Sequence, residues 1–186
     1  MPQIHRAAAT ALMSSLWVCL GLGVAPSFSQ QRCDTSSYPL STPTERFEDH
    51  GDGTVTDKQS KLMWMRCSAG QSWSSGACTG NADPRTWQSA QEEARRVNER
   101  GNFFYNDWRV PKLPELATIA ERQCENPRIN LAMFPGTPAA FYWTVTSRPG
   151  NAADALGAYV LSFGGDGVKY ESKDERYDVR LVRTDQ

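Results

Sequence analysis

GNFFYNDWRVPKLPEL, residues 101–116, packs four aromatic side chains, an Asp-Trp-Arg triplet and two prolines into sixteen residues. Its reading decides the fold, because the same residues can build a scaffold or line a site. Pro111 disfavours helix at Val110, so Trp108-Arg109-Val110 is extended. Pro114 suits a first helical turn, and Leu116, Ile119 and Ala120 share a face of the helix expected over PELATIAERQC. Trp108 carries a ring large enough to fill the space between helix and sheet. Arg109, beside Asp107, is expected as a partly buried cation satisfied by backbone carbonyls or a carboxylate. The stretch therefore reads as architecture first and as a ligand surface second.

Upstream, Trp87, Ala90, Ala94 and Val97 recur at spacings of three and four. That spacing predicts a helix over 84–99, with Asp83 as cap, Pro84 in the first turn, Arg100 at the negative end of the dipole and Gly101 as the stop. Before it, Asp52-Gly53 signals a turn, Thr54-Val55-Thr56 favours strand, and Leu62–Met65 reads as a short buried strand. The Gly/Ser-rich segment 68–81 reads as a loop. Downstream, FYWTVTS (141–147) is β-favouring, GAYVLSF (157–163) and VKYES (168–172) form a hairpin, and YDVRLVR (177–183) is a strand with Val179 and Leu181 inward. Helices in the middle with strands on both sides place the chain in the α+β class.

The 186 residues fit one domain. His5 and Arg6, the apolar run 7–25 and the small polar exit to Ser29 predict a signal peptide over 1–29. Residues 30–45, polar and with two prolines, read as an extended arm, and the domain runs over 46–186. Export to the periplasm or the cell surface follows, with no later run long enough to span a membrane. Beyond Ser29 the net charge is −2, which gives no electrostatic reason to seek nucleic acid. Cys33, Cys67, Cys78 and Cys124 remain, an even number that predicts two disulfides. Three pairings are possible; proximity favours Cys67–Cys78, which leaves Cys33–Cys124. His50 is then the single histidine, against zinc ligation and against a nucleophile–base pair. Asp49, Asp52 and Asp57 lack the ligand order of an EF-hand, so no cofactor is expected and a structural calcium ion is the one metal left open.

Six ordered segments carry a resemblance: DHGDGTVTDKQSKLMWMRCS, TWQSAQEEARRVN, NDWRVPKLPEL, NPRINLAMFPGTP, FYWTVTS and YDVRLVR. Together they resemble the C-terminal domain of the Lcl collagen-like adhesins, over residues 46–184. The resemblance implies a C-type-lectin-like fold related to the sulfatase-modifying-factor domains: two central helices packed on short, mostly antiparallel strands with long loops. Within the matched segments, Trp87, Asp107, Trp108, Arg109, Pro111, Glu115, Trp143 and Arg180 stand as the expected structural positions. The resemblance also implies adhesion, with a polysaccharide or a surface protein as partner. The calcium-dependent sugar motif of true C-type lectins is absent.

A binding site is expected on loops held by a rigid scaffold. Trp73, between Cys67 and Cys78, is the first candidate, because an exposed indole stacks on sugar faces. Arg148 and Asn151 in the excursion 148–156 come second, and Lys169 and Arg176 third. Carboxylates are plentiful but none is singled out as a pair, so a hydrolase of envelope glycans is the alternative to a binding module, with a purely structural protein behind it.

Overall fold

A computed structural model describes residues 30–37, 39–101, 105–150, 152 and 154–185. The signal-peptide expectation and Asn151 lie outside the described residues. In chain order the strands are β1 (Arg32–Cys33), β2 (Phe47–Asp49), β3 (Thr54–Asp57), β4 (Leu62–Met65), β5 (Ser72–Ser74), β6 (Ala77–Thr79), β7 (Cys124–Glu125), β8 (Phe141–Trp143), β9 (Gly157–Ser162), β10 (Val168–Ser172) and β11 (Val182–Thr184). The helices are α1 (Trp87–Arg100) and α2 (Leu113–Thr118). All pairing between these strands is antiparallel, in a four-stranded sheet β11-β4-β3-β2, a three-stranded sheet β10-β9-β8 and the pairs β1-β7 and β5-β6. The fold is α+β with two disulfides, Cys33–Cys124 and Cys67–Cys78.

Side-chain alternation along β4 feeds two cores. Leu62 and Trp64 join Phe47, Val55, Leu116, Ile119, Phe134, Tyr142 and Phe163 on one side. Met63 joins Ala90, Ala94, Trp108, Val110, Trp143, Val160, Val179 and Leu181 on the other, against α1. Trp108 is 2% exposed and meets Tyr105 edge to face. Its backbone is held at both ends by the Asn98 side chain, which donates to Trp108 O and accepts from Trp108 N. Arg109 forks onto Glu115 at 2.7 and 2.8 Å, and Glu115 also accepts the Lys112 N–H at the start of α2. Burial pushes the Glu115 carboxyl up, but these bonds outweigh it and hold the group below its ordinary value. Asp107 turns away from this pair and binds Arg183. Pro111 accepts the Val145 N–H at its carbonyl.

Five expectations need correction. Helix α1 begins at Trp87, not residue 84, because Arg85 forms an isolated bridge with Tyr177 and Thr86 supplies the cap to Ser89 N. Helix α2 ends at Thr118, because Ala120 bridges Ile129 and Glu121 turns in to bind the arm. The arm is packed: Thr42 is fully buried and β1 pairs with β7. Residues 68–81 hold the β5–β6 hairpin, whose turn uses positive φ at Ser75 and Gly76. The segment 177–183 is strand only from Val182 and does not alternate, since Asp178, Val179, Arg180 and Leu181 are all buried. It runs between elements that cover it on both faces, so its polar residues are sealed in with its apolar ones.

Glu121 explains the packed arm. Its carboxylate accepts from Ser41 N, Ser41 Oγ, Thr42 N, Thr42 Oγ1 and Gln123 N, at 2.7–3.1 Å. Burial works against the charge, but the Gln123, Thr42 and Ser41 bonds bring the pKa down to about 2.

Candidate ligand-binding cleft

The β5–β6 hairpin, tied from the middle of β6 to Cys67 by the Cys67–Cys78 disulfide, carries Trp73 opposite Cys78. Trp73 is half-buried rather than loosely exposed. The guanidinium of Arg66 lies 4.3 Å from its ring centre, and its Nε1 donates to Gly51 O. Arg66 is itself fixed, with Nε on Met133 O, Nη2 on Ala132 O and Nη1 on Asp49. Gly53 backs the indole: a Cβ there would fall 2.8 Å from Trp73 Cγ, and its φ of +96° suits glycine. Strand, turn and hairpin therefore hold one ring in one orientation.

That ring lines a cleft of about 380 Å³. Met65, Val97 and Leu181 supply its apolar surface, and Asp52, Gln71, Ser72, Glu93 and Arg100 its polar groups. Apolar walls with a few convergent polar groups are the composition of a small-ligand site. A hollow of about 470 Å³ over Ser41, Gln59, Ala117 and Arg122 is more open and has no aromatic wall.

The cleft carboxylates have partners of their own. Asp52 accepts from Thr54 N and Thr54 Oγ1, while Glu93 bridges Arg85 and Arg96. Asp49 is spent on Arg66, and Asp57 on Arg46, Ser60 and Gln59 N. Asp49, Asp52 and Asp57 thus turn to separate partners. Among the described residues, no three His, Cys, Asp or Glu side chains are grouped to hold a metal ion.

The remaining candidates lie elsewhere. Arg148 rests 4.3 Å from the Tyr170 ring centre, Lys169 lies over Phe141, and Arg176 reaches Asp83 at 3.9 Å. None of them lines the Trp73 cleft. Trp87, partly buried, donates to Thr144 O, and Trp143, fully buried, donates to Arg85 O. Sequence reading found Trp73 but missed its support, Arg66, and the cleft's far side, Glu93, Val97 and Arg100. The one available signal was the Val97 face of α1, read as core.

Asp178 is a second feature missed. It is 4% exposed. Burial pushes its pKa up to about 6, against the pull of Arg180 and with help from Asp83. A raised pKa in the folded state means stability is present at low pH and lost as pH rises from about 4 to about 6. Glu121 acts oppositely, its contribution being complete above its ordinary pKa and lost as pH falls toward about 2. Asp178→Asn is therefore expected to stabilise the protein by on the order of 2–3 kcal/mol at neutral pH and to leave it nearly unchanged at pH 4. Urea titrations at the two pH values check this; equal shifts at both would contradict it.

The sequence model of the Lcl C-terminal domain family matches residues 53–183. No curated protein matches the sequence.

Proposed function

The chain belongs to the Lcl C-terminal domain family, and from that premise we propose that it is an exported, non-catalytic binding module. On this reading the scaffold is C-type-lectin-like and the site is the Trp73 cleft. The ligand is a carbohydrate of the envelope or of a contacted surface. The two disulfides fit an oxidising compartment. Among the described residues no helix is long and apolar enough to cross a membrane.

The observation that carries the proposal is the fixed indole beside a polar-rimmed cleft. A sugar ring offers an apolar C–H face and a hydroxyl edge. An immobilised Trp meets the first at little entropic cost, and Asp52, Ser72 and Arg100 line the cleft for the second. Hydrolysis needs a carboxylic acid held neutral near the scissile bond. The carboxylate raised toward neutrality, Asp178, is not among the residues lining the cleft.

Glycan-array binding by wild type and Trp73→Ala tests the site. Loss of about tenfold or more in affinity is expected for Trp73→Ala, with Arg148→Ala unchanged. Equal signals for all three proteins would remove Trp73 from the site. Asp52 and Glu93 line the same cleft, which is the observation on the side of the hydrolase. Release of reducing ends from a bound glycan, abolished by Asp52→Asn or Glu93→Gln, would replace the binding reading.

A further inference from the structure

Arg32, Arg122 and Arg128 line one hollow of about 400 Å³ beside the Cys33–Cys124 bridge, and none of the three lines the Trp73 cleft. Each comes from backbone that is held. Arg32 lies on β1, in register with Glu125 and tied by the bridge to β7. Arg122 follows Glu121 and donates its main-chain N–H to Ser41 Oγ. Arg128 donates its main-chain N–H to Phe163 O, and its carbonyl accepts from Glu121 N. The fold thus gathers three cations in a chain whose net charge beyond Ser29 is −2.

These guanidiniums are not equally spent. Arg128 meets Glu125 at 3.3 Å, while its buried Nε has no partner among the described residues. Arg32 and Arg122 are exposed and take part in none of the ion pairs among the described residues. The carboxylates at the hollow are Asp34 and Glu125, so three arginines against two carboxylates leave it at +1. Asp34 is the group that opposes an anion here. Its Oδ1 accepts from Ser36 N, Ser36 Oγ and Ser37 N, which ties it to its own turn.

A guanidinium presents its donors in a planar fork. One fork satisfies a planar carboxylate, whereas a tetrahedral phosphate takes forks from different sides. A phosphate monoester carries about −1.5 to −2 at neutral pH. Two unspent guanidiniums therefore match it better than they match a singly charged sulfate ester. We infer that Arg32, Arg122 and Arg128 form a site for a phosphate monoester, separate from the Trp73 cleft. Arg32 and Arg122 hold the phosphate oxygens, Arg128 adds its charge, and Asp34 limits the affinity.

Calorimetry of the purified protein with phenyl phosphate and phenyl sulfate, at neutral pH and one ionic strength, tests this. The phosphate ester is expected to bind about tenfold more tightly than the sulfate ester. Arg32→Ala and Arg122→Ala each weaken phosphate binding about tenfold, and Arg122→Lys recovers only part of the loss. Asp34→Asn keeps the turn's acceptor but removes the charge, and tightens binding about threefold. Arg95→Ala, an exposed arginine of α1, changes nothing. Circular dichroism confirms that each variant is folded. Phosphatidylcholine vesicles with and without phosphatidic acid tell a lipid headgroup from a soluble ester. Retention on the acidic vesicles that is lost in Arg122→Ala assigns the site to a headgroup. Binding neither phenyl phosphate nor the acidic vesicles overturns the inference. So do equal affinities for the two esters, or folded Arg32 and Arg122 variants that bind like the wild type.

Discussion

Replacing Arg180 with alanine is expected to destabilise the fold by about 3–5 kcal/mol, the range for a buried ionic group removed from its partners. Arg180 is fully buried between the rings of Phe134 and Tyr142. Nη1 donates to the carbonyls of Met65 and Arg66, and Nη2 to Thr137 Oγ1 and Ser68 Oγ. One side chain thus joins the end of β4, the loop into the β5–β6 hairpin and the turn before β8. Burial lowers its pKa, while Tyr142 and Asp178 work to keep the charge. Alanine would leave four acceptors without their donor, open a cavity between two rings, and strip Asp178 of the Arg180 charge that favours its ionised form. Lysine cannot present a planar fork and recovers only part of the loss. Urea denaturation followed by circular dichroism measures both variants. A loss under about 1 kcal/mol for alanine would mean that the network is not what closes this end of the core.

Much of the scaffold was legible because its signals are local. Pro111 fixes the extended residues before it, Pro114 and Glu115 open α2, and the Trp87–Val97 spacing marks α1. What escaped depends on partners far along the chain. Ser41 and Thr42 read as ordinary linker residues until Glu121, some eighty positions on, turns inward to meet them. An alternating strand over 177–183 would turn Asp178 and Arg180 outward, but both are buried, and alternation fails where both faces are covered. Trp73 stood out by its setting in a Ser/Gly stretch. The guanidinium that holds it comes from Arg66, whose carbonyl partners Ala132 and Met133 lie in a separate turn. The cleft is likewise assembled from a hairpin, a helix face and a strand, and no single spacing records that meeting.

The two disulfides are expected to separate stability from binding. Cys33–Cys124 spans 91 residues and Cys67–Cys78 spans 11. In the loop-entropy model the long bridge contributes about 4–5 kcal/mol and the short one about 3 kcal/mol. Cys33→Ser/Cys124→Ser should therefore lose more stability than Cys67→Ser/Cys78→Ser, by about 2 kcal/mol in denaturant titrations at equal pH. The Glu121 contacts work against this ordering, since they hold the arm after the bridge is gone. Combining the long-bridge variant with Glu121→Gln should then release the arm and cost more than the two changes do separately. Binding should follow the opposite order. The short bridge clamps the hairpin that carries Trp73, so its loss leaves most of the core intact while the indole loses its fixed orientation. The variant with the weaker fold would keep its affinity and the one with the sturdier fold would lose it. Such a crossing of the two measurements is something a general loss of structure cannot produce.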